Sequence, residues 1–150
     1  MELDFPNEII EKLLLKKAMS DKGWLNILQN VYDKRWFKTE NIGLVLKLIL
    51  NYHKKYNSIP NVAIINALAA KYIEKVPDSG INISSITTLL SEIKNLEMNI
   101  PDEVLNNNLK EFIRRNAFYN ALYDNAEILD KDPTAYQKVV DKCLENFDRV

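Results

Sequence analysis

The residue types that most often carry catalysis or bind metals are scarce in this chain. It has one histidine, His53, and one cysteine, Cys143, which lie far apart in the sequence. A metal site requires clustered histidine, cysteine or carboxylate ligands, and this pair provides no such cluster. His53 lies in NYHKKY, near the end of a predicted helix, where a partly exposed histidine is the simpler explanation. Cys143 lies in an apolar stripe, which favours burial as a small hydrophobic residue over reactivity.

The carboxylates and glycines form no catalytic motif either. Asp130 and Asp132 flank Lys131 in the predicted turn DKDPT, where capping of the next helix explains them better than general acid–base catalysis. The three glycines are too widely scattered for the phosphate-binding motif GxxxxGKS/T, the dinucleotide-binding motif GxGxxG or the nucleophile motif GxSxG. We therefore expect no catalytic site, no metal site and no cofactor in these 150 residues.

One segment, KRWFK at Lys34 to Lys38, interleaves basic and aromatic residues. This composition suits single-stranded nucleic acid, because bases stack on aromatic rings while basic groups contact the phosphates. Two aromatic residues between short helices also fit a core, with the lysines in solvent, and we favour that interpretation. The net charge of −1 supports it, since dedicated nucleic-acid binders usually have a strongly basic surface. We expect no strong direct DNA binding.

The composition indicates one soluble domain from a reducing compartment. The 150 residues are 47% hydrophobic and 27% charged, which provides enough apolar material for a core. A single cysteine excludes an intrachain disulfide. The acidic N-terminus MELDFPNEII does not have the pattern of a signal peptide, and the run IGLVLKLIL is too short to span a bilayer. These features predict a cytoplasmic protein without membrane contact.

Helical periodicity and the small number of helix breakers predict an all-α fold. Residues 1–100 are predicted to form a small globular head of about five helices. N-cap residues and a first-turn proline give the starts of these helices. In chain order the helices begin at or just after Pro6, Asp21, Thr39, Asn61 and Ser84 or Ser85.

Residues 101–150 are predicted to form a long antiparallel helical hairpin. A sixth helix runs from Pro101 to about Leu129, and a seventh follows the turn DKDPT, with Asp132 as its N-cap. Because a short turn makes successive helices antiparallel neighbours, the two helices pack against each other. The seventh helix has a single apolar stripe, which we predict to be the hairpin seam and which contains Tyr136, Val139, Val140, Cys143, Leu144 and Phe147.

The sixth helix has apolar residues on more than one side, so it requires more than one neighbour. The face with Phe118, Leu122 and Leu129 lies beside Glu111 and Arg115, which form a polar margin like the rim of an interface. We predict that this face, with Arg115 at its edge, associates with other copies of the chain, because such an apolar patch is unusual on a monomer. The alternative is that the head folds back and covers it.

The sequence resembles the N-terminal domain of DnaB-type hexameric replicative DNA helicases. The similarity is carried by LLLKKAMSDKGWLNILQNVYDKRWFKTENIGLVLKLILNYHKKYNSIPNVAIINALAAKY. In that family a helix with an LL run precedes a short helix with Trp or Phe, a turn with an acidic residue and two aromatics, and a loop ending in proline. Here the turn runs from Asp33 to Phe37, its aromatic pair begins at Trp36, and the proline is Pro60. YNSIPNVAIINAL and LKEFIRRNAFYNALYDNAEI are similar to the T-even-type phage branch.

The resemblance implies a domain that helps a helicase to assemble during DNA replication. In the family, hairpins of neighbouring subunits pack into a ring-shaped collar, and the collar docks primase and, in phages, the helicase loader. The whole helicase is an ATP-dependent enzyme. ATP and Mg²⁺ are expected only in its RecA-like motor domain, whose phosphate-binding motif these 150 residues lack.

Three other classes of protein stay open. The helicase-binding C-terminal domain of bacterial-type primases shares the fold of head and hairpin, although Pro60 and the segment Arg114-Arg115-Asn116 fit the helicase better. A small helical adaptor without a link to replication is the second alternative. A helical nucleic-acid-binding domain is the third, and the charge balance disfavours it.

Overall fold

A computed structural model describes residues 5–97 and 99–148, with residues 146–148 described as backbone only. Over these residues the chain forms eight α-helices and three short 3-10 helices, without a β-strand. The all-α class predicted from the periodicity is confirmed. The α-helices are α1 Asn7–Ala18, α2 Lys22–Gln29, α3 Glu40–Tyr56, α4 Val62–Lys75, α5 Ile83–Asn95, α6 Asp102–Asp124, α7 Ala126–Lys131 and α8 Tyr136–Asp148.

The described residues divide into two compact units. The N-terminal unit contains residues 5–29 and Lys34–Asn99, and so carries α1 to α5. The C-terminal unit contains residues 100–148 together with the short segment Asn30–Asp33, and so carries α6 to α8. The sequence gave no indication that Asn30–Asp33 belongs with the later helices, because a segment this short has no measurable period.

Helix α3 is the centre of the N-terminal unit. It packs against α1, α2, α4 and α5, which explains why so much of its surface is apolar. Its completely buried side chains recur at helical spacing and are Ile42, Val45, Leu46 and Ile49. Only one narrow side of α3 is in solvent, and that side is polar along its whole length.

Two asparagines set the starts of α4 and α5. The side-chain oxygen of Asn61 accepts the Ile64 N–H at 2.9 Å, and that of Asn82 accepts the Ser85 N–H at 2.8 Å. Both bonds satisfy N–H groups that have no partner in the first turn of a helix. Helix α5 therefore begins at Ile83, slightly earlier than predicted, because Asn82 provides the cap.

The predicted sixth helix is two helices, α6 and α7, separated at Asn125. The Asn125 side-chain amide donates to the Ala121 carbonyl at 2.6 Å, and its backbone N–H donates to the same oxygen at 3.1 Å. The backbone then leaves helical geometry, with φ −100° and ψ 1° at Asn125. Asn108 and Asn116 make the same side-chain bond inside α6, so the break also requires the low helix propensity of Asp124-Asn125. The prediction of a continuous helix to Leu129 is wrong for this reason.

The start of α3 is stabilised by a carboxylate from α1. Thr39 holds the N-cap position but makes no side-chain cap bond, and its N–H donates to Glu11 Oε1 at 3.4 Å. Glu11 is only 1% exposed. Burial raises the pKa of the Glu11 carboxyl, and this effect outweighs the lowering by the N–H groups of Thr39 and Lys38 and by the Lys38 charge. The site therefore disfavours the ionised carboxylate.

Replacing Glu11 with glutamine is expected to change how stability depends on pH. A folded-state pKa above the unfolded value means that the folded chain binds this proton more tightly. The resulting stabilisation is present below the unfolded pKa and is lost as pH rises through the folded pKa. Glu11→Gln keeps an acceptor oxygen and does not titrate, so it should gain stability relative to the wild type between about pH 4 and about pH 7. Urea unfolding across this range measures the difference, and a constant difference would contradict the prediction.

Candidate interaction surface

A small apolar cluster holds α6 and α8 together. Its buried members and the half-buried residues packed against them are Ala121, Val139 and Cys143, with Phe118, Ile128 and Leu129. Ala117 and Ala121 present only methyl groups to α8, so the two helices can approach closely. Phe147, the last residue of the predicted seam, has its side chain outside the described residues.

The predicted seam is divided into a buried and an exposed half. Val139 and Cys143 are buried in the cluster, whereas Tyr136 is 61%, Val140 42% and Leu144 48% exposed. One neighbouring helix covers only a narrow stripe, and two small to medium side chains four residues apart fill it. The assignment of Tyr136, Val140 and Leu144 to the seam is therefore corrected, because these residues lie beside the seam and in contact with solvent.

The face predicted for self-association is also divided. Phe118 and Leu129 are half-buried and pack against the cluster, so they contribute to the fold of the C-terminal unit itself. Leu122 is 41% exposed, and Arg115, two turns earlier, is exposed as well. Leu129 leaves the face because the break at Asn125 separates it from α6. The part of this face that a partner can reach is centred on Leu122.

Helices α6 and α8 run antiparallel. Ala121, near the end of α6, shares the buried cluster with Val139, near the start of α8. A short connection with this pairing of end and start gives antiparallel neighbours. In such a pair, the positions that directly follow the seam residues lie on the same side in both helices.

This geometry brings exposed apolar residues from two helices to one side of the C-terminal unit. On α6, Leu122 directly follows the buried Ala121. On α8, Val140 and Leu144 directly follow the two buried positions, and Tyr136 lies one turn before Val140. We call Leu122, Tyr136, Val140 and Leu144 the α6–α8 apolar surface.

Polar residues border the α6–α8 apolar surface. Arg115 lies on the α6 margin, and Gln137 and Asp141 lie on the α8 margin. The Gln137 amide donates to Asp141 Oδ1 at 2.9 Å, which holds that margin in place. An apolar centre with a polar rim is the usual composition of a protein–protein interface, and exposed apolar patches on monomers are usually small. The surface therefore suits a protein partner.

The KRWFK segment packs as predicted from the sequence. Trp36 and Phe37 are buried, with ring centroids 6.3 Å apart, whereas Lys34 and Lys38 are exposed. Gly43 of α3 lies against the Phe37 ring, because a Cβ at Gly43 would be only 3.4 Å from Phe37 Cβ. The prediction that the two aromatic residues belong to the core is confirmed, so their rings are not available to stack on bases.

Direct DNA binding is expected to be weak. With Trp36 and Phe37 buried, KRWFK keeps its charges but loses its stacking groups, and the net charge is −1. We expect a dissociation constant weaker than about 1 μM for single-stranded or double-stranded DNA at physiological salt. Fluorescence anisotropy with labelled oligonucleotides measures it. Submicromolar binding that is lost in Lys34→Glu with Lys38→Glu would show that this segment binds DNA after all.

The remaining chemistry-bearing residues have structural roles. His53 is buried, contrary to its predicted partial exposure, because α2 packs against this part of α3 and the ring Nε2 lies 3.2 Å from Asn26 Oδ1. Cys143 is buried, and burial raises the pKa of its thiol, which disfavours the reactive thiolate. Asp132 accepts the Thr134 N–H at 3.0 Å and the Thr134 hydroxyl at 2.6 Å, which lowers its pKa and accounts for its position in the turn.

Within residues 5–97 and 99–148, no group of three or more His, Cys, Asp or Glu side chains is placed to hold a metal ion. None of the described helices has an apolar stretch long enough to cross a membrane. No family model, curated protein or solved structure matches the chain. The argument for a function therefore depends on the residues and on the surfaces that they form.

Proposed function

We propose that the chain is the N-terminal domain of a DnaB-type replicative DNA helicase, closest to the T-even phage branch. It contributes to the collar of the hexamer and docks primase, the helicase loader or both during DNA replication. The observation that carries the proposal is the α6–α8 apolar surface. A collar built from hairpins requires an exposed apolar side on each hairpin, and this surface has that character.

Two features of the N-terminal unit support the proposal. Trp36 and Phe37, which match the aromatic pair of the family's turn, are buried beside α3. Pro60, which matches the proline at the end of the family's loop, is buried and directly precedes the Asn61 cap of α4. Both features have structural reasons to be where the family has them. They support the fold of the proposed domain, whereas the α6–α8 apolar surface supports its assembly.

The proposal also defines what this domain does not do in the helicase. ATP and Mg²⁺ bind in the motor domain of such a helicase, and the domain described here provides assembly and docking. It works in the cytoplasm of the host cell, without membrane contact and without strong direct binding to DNA.

A second candidate is the helicase-binding C-terminal domain of a primase. The α6–α8 apolar surface fits this candidate too, because an exposed apolar side with a polar rim also suits a different protein as partner. The two candidates differ in what binds to the surface, which is another copy of the chain in the first case and a helicase collar in the second.

Binding to the three replication proteins of a T-even-type phage separates the candidates. The chain is immobilised, and primase, helicase loader and helicase are each tested for binding, with Leu122→Asp as the surface variant. We expect primase or loader to bind with a dissociation constant of about 0.1–10 μM, the range of transient complexes. Binding of the helicase alone would favour the primase domain. Binding of none of the three, with a correctly folded chain, would favour an unrelated helical adaptor.

A further inference from the structure

We propose a second contact between copies of this chain, in which the outer side of α3 binds the α7 region of another copy. The α3 side is basic, and we call it the basic face, which consists of Lys47, Asn51, Lys54 and Lys55. The α7 region is acidic, and we call it the acidic tip, which consists of Asp124, Glu127, Asp130 and Asp132. The inference goes beyond the proposed function, because it uses neither the α6–α8 apolar surface nor the resemblance to helicases.

The basic face belongs to an unusually long stretch without acidic residues. No Asp or Glu occurs between Glu40 and Glu74. These 33 positions would contain between four and five acidic residues at the average frequency of 21 in 150. The exposed positions of the stretch include four lysines, so its surface is positively charged without local compensation. The four residues of the basic face lie within about 100° on α3, since residues three, four and seven apart share one side of a helix.

Aromatic side chains extend the basic face at the end of α3. The rings of Tyr52 and Tyr56 have centroids 4.6 Å apart, and Lys55 Nζ lies 5.3 Å from the Tyr56 centroid. Lys22 of α2 adds a further positive charge, because its Nζ donates to the Asn57 carbonyl at 2.8 Å. Stacked tyrosines and a cation over a ring hold these side chains in place, so less side-chain freedom is lost on binding.

The acidic tip has the opposite charge on a segment of similar length. All four of its carboxylates are exposed, and Lys131 is the only basic residue between Asp124 and Asp132. Lys131 is paired with Glu127 at 3.1 Å, so it compensates one of the four charges. The basic face spans about 12 Å from Lys47 to Lys55, and α7 spans about 9 Å, at 1.5 Å per helical residue. The two surfaces therefore match in length as well as in charge.

Simpler explanations account for only part of this pattern. Lysines in the last turn of a helix stabilise its dipole, which explains Lys54 and Lys55 but not Lys47 in the middle of α3. Single-stranded nucleic acid would also suit lysines beside an exposed tyrosine. The chain itself carries the complementary acidic segment at high local concentration in any assembly, which favours another copy as the partner. A basic face of one copy on an acidic tip of the next is a heterologous contact, and such contacts build rings or filaments.

Charge reversal and mixing test the contact. The face variant is Lys47→Glu with Lys54→Glu, and the tip variant is Glu127→Lys with Asp130→Lys, which leaves the Asp132 cap intact. The control variant is Lys138→Glu with Lys142→Glu, which reverses two exposed lysines of α8. Sedimentation velocity of the whole chain at about 50 mM and about 500 mM salt measures association, with circular dichroism to verify the fold. A milder pair, Lys47→Gln and Asp130→Asn, replaces any variant that does not fold.

We expect association at low salt, weaker by at least about tenfold in the face variant and in the tip variant but not in the control. A mixture of face and tip variants should associate again, because each carries one native partner for the other. High salt should weaken association of the wild type. A monomeric wild type at low salt, unaffected variants or a mixture without recovery would each overturn the proposal. A face variant that instead loses binding to labelled oligo-dT would identify nucleic acid as the ligand. Leu122→Asp tests the proposed collar contact separately, so the two proposals fail independently.

Discussion

Trp36→Ala is expected to lower the free energy of unfolding by about 3–5 kcal/mol, the usual cost of emptying a buried aromatic site. Trp36 is 5% exposed and lies beside Phe37, between α2 and α3. Its removal leaves a cavity that Phe37 cannot fill without leaving its contact with Gly43. Because small domains are stable by only about 5–15 kcal/mol, this single change removes a large part of the stability.

Urea unfolding of the wild type and the variant, followed by circular dichroism, measures the effect of Trp36→Ala. The melting temperature should fall by about 6–20 °C for a domain of this size. Tyr56→Ala is the matched control, because Tyr56 is an aromatic residue that is 56% exposed, and its loss should change stability by no more than about 0.5 kcal/mol. An unchanged melting temperature for Trp36→Ala would contradict the packing that buries it.

Trp36→Phe adds a test of how the site is filled. The Trp36 Nε1 hydrogen is buried without a hydrogen-bond partner among the described residues. Phenylalanine keeps most of the apolar volume and removes this unpaired donor, so part of the cavity cost is offset. We expect Trp36→Phe to cost less than about 1.5 kcal/mol. A loss as large as that of Trp36→Ala would mean that the indole makes a specific contact that volume does not replace.

The all-α class could be predicted from the sequence because periodic burial is a local property. The buried residues of α3 recur at helical spacing, and the start of α4 follows directly from Asn61. The break at Asn125 could not be predicted in this way. Asn108 and Asn116 have the same kind of side chain and make the same bond without a break, so the local signal is ambiguous. The break depends on the balance of several weak propensities rather than on one residue.

The core role of Trp36 and Phe37 was predictable, whereas the division of the α8 stripe was not. Aromatic residues between short helices have few places to go except the core. A stripe on one helix, however, does not reveal how wide a partner will cover it. Ala117 and Ala121 bring α6 so close that Val139 and Cys143 alone fill the seam. Neighbouring apolar residues are thereby left exposed, which is a property of the pair of helices and not of either sequence.

The exposed half of the α8 stripe leads to the second large prediction. Leu122→Asp combined with Val140→Asp is expected to weaken self-association of the chain by at least about 100-fold, as the loss of central interface residues does. Both residues are on the α6–α8 apolar surface and outside the buried cluster, so the helices should stay folded. Phe118 is left unchanged, since it packs against the cluster and its loss would unfold the pair. Light scattering over a range of concentrations measures association, and circular dichroism measures helix content.

The control for Leu122→Asp with Val140→Asp is Val62→Asp on α4. Val62 and Leu122 are equally exposed, at 41%, so an effect of surface polarity alone would be the same for both. Only the loss of a specific interface reduces association in the α6–α8 variant and leaves it unchanged in Val62→Asp. If the double variant loses helix content, its two residues belong to the core, and the surface has been misidentified. If the wild-type chain is monomeric at high concentration, the α6–α8 apolar surface does not associate with itself. A different protein is then the partner of this surface, as in the primase candidate, because four exposed apolar side chains on two helices still favour a contact that removes them from water.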